Sequence, residues 1–320
     1  MNYRRLGSSG LKVSELSLGS WVTFGNQLDQ QKAAELIHAA YDHGVNYFDN
    51  ADVYAMGQAE TLMGQAITDL PRHELVISSK AFWPTQKGPN GCGLSRKHLT
   101  ESLNGSLKRL GTDYVDLYFC HRFDPATPVL EVVQTMDNFV RQGKVLYWGT
   151  SEWRADQIAH AVGVAQAYHL IAPVMEQPMY NLFVRRKVEL ELYPVCRELG
   201  IGLTTFSPLF FGLLSGKYND GIPAGSRASM EGDTETKEAI TPQRIEKVRR
   251  LAALAQETGL TTAQLSIAYL LSHKEVSSVI LGASRLSQLE QNLQASEAVA
   301  KLTPDVLDLL AAILGLAAAE

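Results

Sequence analysis

Eight short β-branched or aromatic runs alternate with longer helical patterns between about residue 15 and residue 297, and this alternation constrains the fold more than any other feature. The runs are ELSLGS (15–20), VNYFD (45–49), ELVISSK (74–80), YVDLYFCH (114–121), VLYWGTS (145–151), VMEQ (174–177), GLTTFS (202–207) and SSVILGAS (277–284). Consecutive strand–helix units imply parallel strands joined by right-handed crossovers, which leaves a doubly wound sheet or a closed barrel. Eight repeats favour closure. Asp49, Lys80, His121, Ser151, Gln177, Ser207 and Ser284 each stand at the C-terminal end of an otherwise apolar run, which is where a (β/α)8 TIM barrel carries its active site.

The helical patterns have recognisable ends. Asp29 is the expected N-cap of a helix that stops at Gly44, and Ser95 that of a helix that stacks Leu99, Leu103 and Leu107 and stops near Gly111. Thr127-Pro128, Thr241-Pro242 and Thr303-Pro304 each read as an N-cap followed by proline at the first helical position, the last opening an extra C-terminal helix. Residues 3–6 and 11–14 flank Gly7-Ser8-Ser9-Gly10 as a hairpin expected to cap the barrel's N-terminal end. Residues 207–241, after the seventh strand, form a connection much longer than usual. No interdomain linker is visible, so residues 1–320 are expected to form a single domain.

Composition narrows the function. The net charge of −5 offers no basic field for a nucleic acid, and no stretch of about 18 apolar residues predicts membrane insertion. Three dispersed cysteines, Cys92, Cys120 and Cys196, argue against a disulfide framework or a structural zinc site. Together with an N-terminus that lacks a signal-peptide core, they point to the cytoplasm.

Asp49, Tyr54, Lys80 and His121 come from three strands expected to converge at the barrel mouth. A phenol of ordinary pKa, about 10, is a poor acid at neutral pH, but a neighbouring ammonium favours the phenolate. Lys80 would therefore lower the Tyr54 pKa, Asp49 would hold Lys80 charged, and His121 would hydrogen-bond a substrate oxygen or relay a proton. A drop of roughly two units asks for about 3 kcal/mol of preferential interaction. Asp49 and His121 alone are too few for a metal-dependent barrel hydrolase, so no metal is expected.

The passages LSLGSWVTFGNQLD (16–29), FDNADVYAMGQAE (48–60), SSKAFW (78–83), GLSRKHL (93–99), SLKRLGTDYVDLYFCHR (106–122), YWGTSEW (147–153), EQPMYN (176–181), SGKYNDGIPAGSRAS (215–229) and SSVILGAS (277–284) resemble the aldo-keto reductases. They are similar especially to the branch containing the voltage-gated potassium channel β-subunits. The resemblance implies that Tyr54 is the general acid, Lys80 and Asp49 its tuning pair and His121 the fourth catalytic member. It implies NADPH (NADP+) held across the barrel mouth without a Rossmann unit, and no GxGxxG follows a strand here.

For the cofactor, the resemblance implicates Ser20, Trp21, Gln27 and Asp49, with Ser151 and Gln177 on the carboxamide and Phe206 stacked on the nicotinamide. Ser207, Pro208, Leu209, Phe210 and Lys217 would hold the pyrophosphate. Arg227, Ser284, Gln288, Gln291 and Asn292 would surround the adenosine, with Gly282 allowing close approach. Arg285 would meet a 2′-phosphate, favouring NADPH over NADH. Glu152 stands where many members carry a carboxamide-binding Asn, and Phe206 where Trp or Tyr is common. Trp21, Tyr54, Phe82, Trp83, His121 and Phe211 are the expected substrate contacts, an aromatic lining for a small aldehyde or ketone. The channel-associated animal subunits have Asn at the position of His121, so the histidine favours an active reductase over an NADPH-binding accessory subunit. Relatives in the branch are tetramers, which implies a homo-oligomer.

Overall fold

The computed structural model describes residues 1–21, 23–25 and 27–315. Within them the alternation expected from the sequence becomes a closed eight-stranded parallel barrel. A hairpin of β1 (Tyr3–Arg5) and β2 (Lys12–Ser14) comes first, and the barrel strands β3 (Leu16–Gly19), β4 (Tyr47–Asp49), β5 (Val76–Ala81) and β6 (Val115–Cys120) follow. The remaining strands are β7 (Val145–Ser151), β8 (Met175–Gln177), β9 (Gly202–Thr205) and β10 (Val276–Leu281), and β10 closes the ring by pairing with β3. Between the early strands run α1 (Gln30–Asp42), α2 (Gln58–Ala66), α3 (Arg96–Leu110), α4 (Val129–Arg141), α5 (Ala155–Ala167) and α6 (Tyr193–Leu199).

Strands β5, β6 and β10 are buried along their whole length, as parallel strands covered on both faces must be. Helix α1 shows the local logic. Asp29 accepts from the Lys32 backbone N–H, and Ala33, Leu36, Ile37 and Ala40 form the buried stripe. Ser95 likewise caps α3, which ends on the left-handed Gly111. One expected cap differs. Helix α4 starts at Val129 with Pro128 as its flanking residue, because the Thr127 hydroxyl is drawn to Asp124 Oδ2 at 2.7 Å instead of capping the helix.

The N-terminal hairpin closes the barrel floor. Leu6 and Val13 are fully buried in one cluster with Tyr47, Val76, Leu117, Phe119, Met175 and Ile280. Polar stitches fasten it. Ser8 donates its backbone N–H to Gly200 O at 2.8 Å, and the Ser277 hydroxyl donates to Arg5 O at 3.0 Å.

The chain divides into two compact units. The first, Met1–Pro178, Arg186–Phe206 and Glu275–Leu289, contains the hairpin and every barrel strand. The second comprises Met179–Arg185, Ser207–Lys274 and Glu290–Glu320. It holds α7 (Thr234–Ala239), α8 (Pro242–Glu257) and α9 (Thr262–Leu271), and, after α10 (Leu286–Leu293), α11 (Ala295–Ala298) and α12 (Pro304–Leu314). Thr241 and Thr303 cap α8 and α12 ahead of Pro242 and Pro304, as read from the sequence. Among the described residues no helix is long and apolar enough to cross a membrane.

Candidate active site

The site is built on a two-residue period. In β6, Leu117 and Phe119 belong to the buried floor, and His121 continues that series one step beyond the strand end. The same period puts Tyr47 with Asp49 on β4, Ser78 with Lys80 on β5, and Met175 with Gln177 on β8. Apolar members of these series pack the floor, so the polar members meet directly above it.

Lys80 is completely buried, and its Nζ donates to Asp49 Oδ2 at 2.6 Å, to Asn50 O at 2.8 Å and to the Tyr54 hydroxyl at 3.2 Å. Asp49 accepts from more than Lys80. Its Oδ1 takes hydrogen bonds from Ser78 Oγ at 2.8 Å, Gln177 Nε2 at 3.0 Å and Tyr47 OH at 3.1 Å. A carboxylate this well satisfied can support a buried ammonium.

The electrostatics depart from one expectation. Burial and the Asp49 charge hold the Tyr54 phenol well above its ordinary pKa, rather than lowering it. Lys80 lies closer to Asp49, at 2.6 Å, than to the phenol, at 3.2 Å, and desolvation of the buried phenol is the largest influence on it. Burial also pulls the Lys80 pKa down, with Asp49 opposing the shift. His121 is driven well below the usual imidazole range by burial and by the neighbouring Lys80 and Arg122 charges, so it is a neutral ring near pH 7. Its Nδ1 is buried without a hydrogen-bond partner.

Aromatic rings wall this centre. Tyr54 stacks near Trp21 at 6.4 Å between centroids and meets His121 edge-on at 5.9 Å. Trp21 also faces Phe206 edge-on at 6.1 Å, and Trp83 faces both His121 at 6.3 Å and Phe82 at 5.1 Å. Trp21 and Trp83 are both exposed, which leaves apolar area open at the mouth.

Of the residues expected around a cofactor, Ser20, Trp21, Gln27, Asp49, Ser151, Glu152, Gln177, Phe206, Gly282, Ser284, Arg285 and Gln288 lie in the first unit. The Ser20 hydroxyl donates to Asp49 O at 3.0 Å, and the Ser151 hydroxyl to Gln177 O at 2.9 Å. Glu152 sits at a left-handed φ of 58° and pairs with Lys187 at 3.1 Å. Ser284 precedes α10, its backbone N–H meeting the Gln288 side chain at 3.2 Å, and Arg285 beside it is exposed.

Ser207, Pro208, Leu209, Phe210, Lys217, Arg227, Gln291 and Asn292 lie in the second unit, as does Phe211. There Ser207, Phe210 and Phe211 adopt positive φ values of 54°, 44° and 58°. Such backbone strain costs roughly 1–3 kcal/mol per residue and gathers at ligand clamps. Arg227 ion-pairs with Asp233 at 2.9 Å and lies 4.8 Å from the Phe211 ring centroid. Asn292 is buried, and its side-chain Nδ2 has no hydrogen-bond partner.

Several contributors were missed from the sequence. Tyr47 and Ser78 were identifiable from the two-residue period, because each shares a strand face with an assigned residue. Glu176 had no such signal. It is fully buried, its pKa is pushed up to about 8 by burial, and its carboxyl group receives Thr150 Oγ1 at 2.5 Å and the Trp153 N–H at 3.1 Å. It thereby ties down the turn that carries Ser151 and Glu152. Among the described residues, no cluster of three or more His, Cys, Asp or Glu side chains is arranged to hold a metal.

Residues 15–314 match the model of the aldo/keto reductase family. A probable voltage-gated potassium channel subunit beta of Arabidopsis thaliana is 51% identical over 96% of this chain and 95% of its own length. The corresponding protein of Oryza sativa subsp. japonica is 50% identical, covering 98% of this chain and 97% of its own length. A putative voltage-gated potassium channel subunit beta of Schizosaccharomyces pombe is 46% identical over 98% of this chain and 93% of its own.

Proposed function

The chain belongs to the aldo/keto reductase family, and from that premise we propose that it reduces aldehydes or ketones to alcohols with NADPH, using Tyr54 as the proton donor. The observation that carries this reading is the hydrogen bond from buried Lys80 to the Tyr54 hydroxyl at 3.2 Å, beside a neutral His121. A family of oxidoreductases that generally uses NAD(P)H supplies the chemical class. When bound, NADPH would supply the hydride.

The chain's own residues handle the oxygen and its proton. As the carbonyl oxygen gains negative charge, Tyr54 moves its phenolic proton onto it, and Lys80 stabilises the phenolate left behind. A phenol held above its ordinary pKa remains fully protonated at neutral pH, so the donor is always loaded. Asp49 keeps Lys80 in place, and neutral His121 donates a ring N–H to the substrate oxygen without competing as an acid. Asp49, Tyr54, Lys80 and His121 are the proposed catalytic residues.

Two features of the chain fit a dinucleotide. Phe206 and Trp21 offer ring faces in the barrel unit, and Arg285 offers an exposed guanidinium at the start of α10. Ser20, Gln27, Ser151, Glu152, Gln177, Gly282, Ser284 and Gln288 are proposed to complete the first unit's share of the binding groups. Ser207, Pro208, Leu209, Phe210, Lys217, Arg227, Gln291 and Asn292 are proposed from the second, where the strained backbone and the orphaned Asn292 amide support a ligand role. The test is an NADPH-oxidation screen of the purified protein over aldehydes, ketones, quinones and dicarbonyls, run in parallel with NADH. Absence of turnover on the whole panel would remove the reading.

The names of the relatives favour a second reading, an NADPH-binding subunit that docks on a potassium channel. Recovery of a channel protein on tagged bait, together with negligible turnover, would place this reading first.

A further inference from the structure

Arg122 follows His121 directly as the chain leaves β6, and among the described residues its guanidinium meets neutral partners. Its Nη1 donates to His121 O at 2.5 Å, and its guanidinium carbon lies 5.4 Å from the Trp83 ring centroid. No carboxylate of the described residues lies within ion-pair distance of it. Asp124, the nearest acid along the chain, is committed elsewhere: Oδ2 accepts from the Leu94 N–H at 2.8 Å and Thr127 Oγ1 at 2.7 Å, while Oδ1 accepts from the Ala126 N–H at 2.9 Å.

Charge around the centre is therefore unbalanced. Lys80 is neutralised by Asp49 at 2.6 Å, whereas among the described residues Arg122 has no ion pair, and the only nearby unpaired acid, Asp52, is buried with its pKa raised to about 7. Its field reaches the reacting groups, since it helps to depress His121 and opposes the upward shift of Tyr54. A guanidinium carries five N–H donors in a planar fork, and one is occupied here. The free edge matches a carboxylate, which Arg binds through paired hydrogen bonds. The rings lie in the order Tyr54, His121, Trp83, at 5.9 Å and 6.3 Å between neighbours, with Arg122 over the last.

We propose that Arg122 anchors an anionic group of the substrate, so that the preferred substrates are carbonyl compounds carrying a carboxylate at the far end of an apolar spacer. This rests on the reductase reading of the same centre. The spacer lies along Trp83, the carbonyl reaches Tyr54 and His121, and the carboxylate meets the guanidinium fork. A neutral carbonyl compound fills the same apolar space and leaves the fork unused.

The experiment compares 4-carboxybenzaldehyde with its methyl ester, which keeps the ring and the reacting aldehyde but removes the charge. Steady-state rates with NADPH are measured for the unmodified protein, Arg122→Gln and Arg122→Lys, with circular dichroism as the check of folding. The unmodified protein is expected to prefer the carboxylate. In Arg122→Gln the ratio of kcat/KM values for acid over ester falls by at least about tenfold, mainly through KM, as loss of one charge-assisted hydrogen bond requires. Arg122→Lys recovers part of the ratio, and added salt erodes it in the unmodified protein. An unchanged ratio in Arg122→Gln, or preference for the ester in the unmodified protein, overturns the proposal.

A binding measurement separates this from failure of the reductase reading. Tryptophan fluorescence is titrated with 4-(hydroxymethyl)benzoate and with its methyl ester. If neither aldehyde is turned over, saturable binding of the benzoate that Arg122→Gln loses still upholds the anion site, and absence of such binding overturns it.

Discussion

Lys80 Nζ lies 2.6 Å from Asp49 Oδ2, with the lysine side chain fully buried and the aspartate only 4% exposed. Each charge is tolerable in this place only because of the other. Lys80→Met leaves a buried carboxylate without its cation, and Asp49→Asn leaves a buried ammonium without its anion; each is expected to cost about 3–5 kcal/mol. The double variant Asp49→Asn/Lys80→Met removes both charges and should lose distinctly less than the sum. Urea unfolding of the four proteins checks this, and additive losses would contradict the coupling.

Tyr54→Phe deletes only the phenolic oxygen. Its hydrogen bond in the structure is the one accepted from Lys80 at 3.2 Å, so the fold should persist. Reduction of 4-nitrobenzaldehyde is expected to drop by about 10²–10⁴-fold, the range for a general acid, with NADPH binding retained by fluorescence titration. Unaffected turnover would remove Tyr54 as the proton donor.

The pH profile distinguishes a neutral His121 from a titrating one. Because its pKa is driven well below the ordinary value of about 6.5, kcat/KM should show no step there. The alkaline limb belongs to Lys80. Its pKa is lowered by burial, so the ammonium is lost as pH rises through a value below the usual one of about 10.4, and the rate falls with it. Rates measured from about pH 5 to about pH 10 decide the matter. An inflection near the ordinary imidazole pKa that vanishes in His121→Asn would show that the ring ionises.

Asp52 makes a separate prediction for stability. It is 2% exposed, neither carboxyl oxygen meets a well-placed donor, and burial with the Glu60 charge raises its pKa to about 7. An unfolded aspartate titrates near 3.9, so between about pH 4 and pH 7 the folded protein binds the extra proton. Stability contributed by Asp52 therefore falls as pH rises through this window and stays lost above it. Asp52→Asn should flatten the dependence and gain up to roughly 4 kcal/mol at pH 8, as read from denaturant midpoints. A pH dependence unchanged by the substitution would show that Asp52 is not the group involved.

Much of the barrel was legible because burial imposes a period. Strands buried on both faces read as apolar runs, and the helices between them carry capping residues such as Asp29, Ser95, Thr241 and Thr303 that mark their starts. The same local reading failed at Thr127, where a hydroxyl that could have capped α4 found a better partner in Asp124. It also could not foresee the turn after Tyr54. Ala55 and Met56 both adopt left-handed φ values, 47° and 54°, which no propensity favours for residues with a β-carbon.

The amino-acid sequence by itself determined the order of strands and helices, the barrel, and which polar residues end its strands, since these follow from residue spacing and from the cost of burying polar groups. The polarity of the site was decided by the tertiary structure. Whether Lys80 would spend its charge on Tyr54 or on Asp49 depends on distances set by strand register, and 2.6 Å against 3.2 Å settles it in favour of the carboxylate. Burial then raises the phenol and lowers the imidazole, because desolvation penalises whichever form is charged. Neither distance nor desolvation is written in the spacing of residues along a chain.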